Sequence, residues 1–244
     1  MQIELRQTPS FGIARVTLAP NEQLQAESGS MMSMSPDMQL SAGMQGGLKQ
    51  ALKRTALGGE SFFISTFAAG PGGGFVDLAA ILPGDVSVLE LDNTVGWFIQ
   101  AGSWMASPPS VQIDTKWGGF KNLFGGEGGF ILRATGTGPT IIGCYGALEP
   151  WDLQAGQTVT VDTGHMVAYQ ETVQMNIRKA TGGMIQSFKS GEGYVFDFTG
   201  PGRVMVQTRN PQALVGFLSR MMPGSGRGET SGGIVKGLGG LLGG

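Results

Sequence analysis

The chain holds one histidine, His165, and one cysteine, Cys144, among 244 residues. Any Ser-His-Asp or Cys-His arrangement runs through His165 or does not exist. His165 lies in Thr163-Gly164-His165-Met166-Val167, and Asp162 is the nearest acid in sequence. Strand alternation sets positions three apart on opposite faces, so the imidazole gains no orienting carboxylate there. His165 therefore reads as a surface or turn residue. Cys144, in IIGCYG, sits in an apolar strand without a basic neighbour to lower its thiol pKa. It reads as a small buried hydrophobe. These singletons exclude a zinc site built from Cys and His, which needs three or four such ligands, and a disulfide within the chain.

Acids offer a second chemistry. Glu60, Glu127 and Glu192 each follow a glycine before an aromatic strand, and Glu22, Asp85 and Asp152 each stand two residues after a proline. Three equivalent carboxylates meeting on an axis would suit a hard cation such as Ca²⁺. Three separate turn residues bonding backbone N–H groups is the simpler reading. No GxxxxGK[ST] phosphate loop occurs, and GPGGGF at Gly70 reads as a turn between strands. The expectation is a chain with no catalytic, cofactor or metal residues, hence not an enzyme.

The elements that would position any site are unusually legible. Glycine supplies 43 residues and charged residues only 14%. Between the glycines run short β-branched and aromatic segments with a two-residue period: FFISTF, VSVLELD, TVTVD, YVFDF and RVMVQT. The expected class is all-β. Four marks then recur in order at a period of about 65 residues. The first is apolar-x-Pro-x-acid, at Leu18–Glu22, Ile81–Asp85 and Leu148–Asp152. In the second, a glycine stands nine residues before an apolar-Gln-apolar triplet centred on Gln39, Gln112 or Gln174. Gly-Gly-apolar comes third, at Gly46, Gly118 and Gly182. The fourth is Gly-Glu, at Gly59, Gly126 and Gly191. The marks predict one β body over residues 1–210, built from three tandem units (about 14–78, 79–146 and 147–208). Each unit would close in a hairpin, turning at Gly70–Gly74, Gly136–Gly138 and Gly200–Gly202. GGLKQALKRTALGGE in the first unit has helical spacing. Residues 211–222 predict a helix with Leu214, Phe217, Leu218 and Met221 on one face. Residues 223–244 read as a flexible glycine-rich tail.

GSMMSMSPDMQL, GGESFFISTF, GSWMASPPSVQIDTKWGGFKNLFGGEGGFIL and GPGRVMVQTRNP resemble the AIM24 (DUF124) family over residues 1–210. The resemblance implies three tandem double-stranded β-helix modules like those of the tryptophan RNA-binding attenuation protein (TRAP-like modules), packed in a pseudo-threefold body. That fold assembles into rings, and eukaryotic relatives are linked to mitochondrial biogenesis. No catalytic set comes with the family.

These features point to a non-enzymatic binding or scaffold protein that self-assembles, with a trimer of nine modules as the ring suggested by analogy. The apolar segments around the Gly-Gly marks (Leu48 and Leu52; Trp117, Phe120 and Phe124; Met184 and Phe188) are candidates for docking a partner protein, a sister subunit or a lipid surface. Ordinary core is the competing reading. Met31, Met32, Met34, Met38 and Met44 would suit an adaptable surface. Residues 223–244 are a candidate membrane contact. A small-ligand module for a sugar, lipid or metabolite is the alternative. A net charge of −2 and a broken basic series (Lys49, Lys121, but Ile185) argue against nucleic acid. MQIELRQTPSFGIA lacks a signal-like apolar run, and with a lone cysteine the expected compartment is the cytoplasm.

Overall fold

Alternation sets the strands. In Ile13–Leu18, Ala14, Val16 and Leu18 are buried, and in Gln23–Glu27 the buried residues are Leu24 and Ala26. A computed structural model of the chain describes residues 1–43, 64–116, 131–180 and 194–221. It opens with β1 (Gln2–Arg6). The first unit follows with β2 (Ile13–Leu18), β3 (Gln23–Glu27), β4 (Met31–Met34), β5 (Met38–Gly43), β6 (Ile64–Ala69) and β7 (Gly74–Ala79). The second holds β8 (Val86–Asp92), β9 (Trp97–Gln100), β10 (Trp104–Ser107), β11 (Val111–Lys116) and the long β12 (Ile131–Gly143). The third holds β13 (Leu148–Leu153), β14 (Thr158–Asp162), β15 (Met166–Gln170), β16 (Gln174–Lys179), β17 (Tyr194–Thr199) and β18 (Gly202–Gln207). Helix α1 (Pro211–Met221) comes last.

Among the described residues all strand pairs are antiparallel, and one scheme serves each unit. In the first, β7 lies between β2 and β4, and β6 between β3 and β5. In the third, β18 lies between β13 and β15, and β17 between β14 and β16. In the second, β12 does both jobs: its later half pairs with β8 and β10, its earlier half with β9 and β11. A bulge falls at the same place each time, between Met31 and Ser33, Trp104 and Ala106, and Met166 and Ala168. Each unit buries its two sheets against each other. The first does so through Val16 and Leu78 on one side and Leu24 and Phe67 on the other.

Two expectations need correction. The glycine turns are not hairpins. At Gly70–Gly73 and Gly200–Gly202 the chain crosses from one sheet to the other, because both flanks of β6 and β17 are already paired. In the second unit there is no break at all. Gly136 and Gly138, with φ of +104° and +135°, bend the continuous β12 in a region that favours glycine. The Pro-x-acid mark also fails to repeat in space. Leu18, Leu91 and Leu153 stand opposite Gly74 of β7, Gly138 of β12 and Gly202 of β18, so Pro20 follows the equivalent strand, Pro83 precedes it and Pro150 lies within it.

The expected terminal helix is present at Pro211–Met221, and none of its residues is buried. Asn210 caps it by accepting the Gln212 N–H at 2.9 Å. The helix-like GGLKQALKRTALGGE stretch and the 223–244 tail lie outside the described residues. No helix among the described residues is long and apolar enough to cross a membrane.

Candidate functional site

Gln39, Gln112 and Gln174 occupy matching register positions. They stand opposite Ala68, Thr135 and Thr199 on the central strand of their sheets. The preceding Met38, Val111 and Val173 point into the cores, so all three glutamines are exposed on outer faces. They share a register position, each on the exposed face of its own sheet. Glu60, Glu127 and Glu192 lie outside the described residues. So do the candidate docking residues Leu48, Leu52, Trp117, Phe120, Phe124, Met184 and Phe188.

The remaining acids each have a local partner. Glu22 accepts the Ala19 N–H at 2.7 Å, Asp85 accepts the Val86 N–H at 2.9 Å, and Asp152 holds Arg203 through two hydrogen bonds. They stand at non-equivalent places in the three units. Among the described residues, no three His, Cys, Asp or Glu side chains gather as a metal ligand set. His165 lies in a one-turn 3-10 helix, where its Nδ1 donates to the Gln207 carbonyl at 2.7 Å. Asp162 instead accepts the Gly164 N–H as the cap of that turn. Cys144 is buried, and burial pushes its thiol up to about 11.

One buried carboxylate ties a whole sheet. Asp77 on β7 accepts two hydrogen bonds from Arg15 on β2, one from Arg6 on β1 and one from Ser33 on β4. The Arg15 guanidinium holds its carboxyl down at about 2, with Ser33 and Arg6 acting in the same direction. Ile141 and Met205 fill the matching positions of the next two units. There the strand's outer face is buried in the core of the preceding unit, so the position is apolar. Glu27, at the end of β3, has no such partner among the described residues, and burial pushes its carboxyl up to about 7.

The arrangement with functional reach is the junction between units. β10 of the second unit adds to β3 of the first, with Ala106 opposite Ala26 and Ser107 opposite Gln25. β15 of the third adds to β9 of the second, with Ala168, Tyr169 and Gln170 opposite Ile99, Phe98 and Trp97. Each junction fuses two three-stranded sheets into one of six. Met105 joins the core of the first unit and Val167 that of the second. The first residues of β10 and β15, Trp104 and Met166, are fully buried.

Both halves of a third such junction are present and unjoined. β4 matches β10 and β15, and its only strand partner among the described residues is β7. β14 matches β3 and β9, and its only described partner is β17. The consequence shows in exposure. Met31 and Met32 are 38% and 52% exposed, where Trp104, Met105, Met166 and Val167 are at most 2% exposed. The sequence hinted at an adaptable methionine surface here. Of those residues, Met38 is instead core, and Met31 and Met32 form the open edge.

Comparison with known proteins follows the same span. A family model described as "Mitochondrial biogenesis AIM24" matches residues 3–209. A Streptococcus pyogenes serotype M6 protein, described as uncharacterized, is 30% identical over 233 residues, covering 92% of this chain and 92% of its own length. An X-ray crystal structure of another Streptococcus pyogenes protein is similar with a TM-score of 0.75 at 26% identity, covering 91% of this chain and 99% of that one.

Proposed function

The chain belongs to the AIM24 family, and we propose that it is a non-enzymatic scaffold whose copies join head to tail, β4 of one copy adding to β14 of the next. In this reading the three units are TRAP-like modules of one pseudo-threefold plan. The single observation behind it is the junction made twice inside the chain while its third pair of halves stays open. The two internal junctions set the register of the third: Met34 opposite Thr160, Ser33 opposite Val161 and Ser35 opposite Val159. Neither open edge carries the lysine or proline that most often blocks strand addition. β4 reads MMSM and β14 reads TVTVD, with no Lys or Pro in either. Such an edge is a ready template for strand addition.

A head-to-tail contact uses two different surfaces, so it closes into a ring when the rotation per copy divides a full turn. A trimer of nine modules is the ring suggested by analogy with the TRAP fold. The polar ion-paired cluster around Asp77 lies on the outer face of the β4 sheet, where the internal junctions are apolar. This favours copies that are stable alone and associate reversibly. Light scattering coupled to gel filtration tests the reading. A concentration-dependent oligomer supports it, and a strict monomer at micromolar concentration overturns it.

A further inference from the structure

We infer that the exposed apolar face of α1 docks on the Gln7–Gly12 loop of the neighbouring copy whose β4 adds to its β14, clasping the same head-to-tail joint. This rests on the assembly reading above and names a second contact within it.

The segments that lead into the units lie in a row. The Gly12 N–H donates to the Gly84 carbonyl. Gly84 bridges Gly146 in parallel, and a side chain on Gly84 would collide with the Cys144 carbonyl, which is how closely the strips run. Asp85 N–H donates to Gly146, and Cys144 N–H donates back to Asp85. Thr208 N–H then donates to Ala147 and Arg209 N–H to Tyr145. The row thus steps from Gly12 through 83–85 and 144–147 to 208–209. Its two inner steps are linkers in which one unit ends and the next begins. At its far end the third unit leads into α1, and at its near end the first unit is entered from β1.

A head-to-tail joint continues this row, setting the Gln7–Gly12 loop of one copy beside residues 208–210 of another. The chain has an extra element at each of those places and at neither inner junction: β1 with its loop before the first unit, and α1 after the third. Both present exposed apolar groups. Phe11 is 69% exposed, and Phe217 and Leu218 are about half exposed. The origin of α1 is fixed, because Asn210 caps it while filling the space a side chain on Gly164 would need. Eleven helical residues reach about 16 Å, enough to lie across the neighbouring loop.

The test uses the full chain with Phe217→Asp, Phe11→Ser and the double variant, measured by sedimentation velocity over a dilution series. Each single change is expected to weaken self-association tenfold or more with no change in melting temperature, since neither side chain is buried. The double variant is expected to be no weaker than the worse single, because the two residues share one contact. Single variants that associate like the parent overturn the inference while leaving strand addition standing. Effects that multiply in the double variant also overturn it. A parent chain that never associates removes the assembly reading itself. Vesicles of anionic phospholipid supply the competing occupant. Flotation lost on Phe217→Asp, with self-association intact, assigns the helix to a lipid surface instead.

Discussion

Met32→Lys isolates the head-to-tail contact from the folding of a single chain. Met32 is the bulge residue of β4, and it is 52% exposed. Its counterparts Met105 and Val167 are 2% and 0% exposed, each seated in the core of the preceding unit. Full burial of a methionine is worth roughly 1.5–3 kcal/mol, so completing the burial of Met32 adds about 1 kcal/mol per joint. A lysine there loses that gain and must also shed water from its ammonium, which costs several kcal/mol without a partner. A net loss of about 3 kcal/mol weakens association roughly 100-fold. Sedimentation velocity on a dilution series reads it directly. The melting temperature of the dilute, dissociated chain should not move, because half of the side chain already faces water. Met105→Lys is the contrast, since the same chemistry inside an internal junction should unfold the body. A Met32→Lys chain that associates with unchanged affinity would refute the reasoning.

Three further outcomes follow from the same geometry. Asp77→Asn should cost about 2–3 kcal/mol in denaturant unfolding, because it leaves Arg15, Arg6 and Ser33 without their shared carboxylate; in the parent the Asp77 carboxyl sits at about 2, below its unfolded value near 3.8, so its contribution is present above about pH 4 and lost as pH falls toward 2. Glu27 runs the other way. Its carboxyl sits at about 7 in the folded chain against 4.5 unfolded, so stability falls as pH rises between those values and levels off above. Glu27→Gln should flatten that slope and add on the order of 2 kcal/mol at pH 8, allowing for partial screening, as urea unfolding across pH would show. Cys144, buried and pushed up to about 11, should resist a thiol reagent at pH 8 until the chain is unfolded. Labelling as fast as that of a free peptide thiol would contradict its placement.

Strand identity was legible because it is local. VSVLELD and YVFDF form strands β8 and β17 as their β-branched and aromatic residues predict, and the glutamine triplets kept their register in all three units. Pairing is not local, and there the reading failed. A glycine pair announces a bend, but whether the chain folds back on itself or crosses to the facing sheet depends on which flanks are already taken. The proline-acid mark misled because prolines and acids suit many turns, so their recurrence in a turn-rich chain says little about spatial equivalence. The open edges were invisible for a third reason. Met31-Met32 and Trp104-Met105 are similar dipeptides, and only the presence or absence of a preceding unit makes one exposed and the other core. Residue type does not encode a missing neighbour. The candidate docking residues near the Gly-Gly marks lie outside the described residues, so the fold neither assembles nor separates them.

The most direct measurement is a disulfide cross-link across the open joint. Met34→Cys and Thr160→Cys are placed in separate copies, mixed and oxidised, with Cys144 left in its buried place. Residues directly opposite in an antiparallel pair bring their Cα atoms to about 4.5–5.5 Å, within reach of a disulfide. The account predicts a covalent dimer from the mixture and none from either variant alone, with a one-residue shift of either introduced thiol reducing the yield. Self-association in which positions 34 and 160 never cross-link would contradict head-to-tail strand addition.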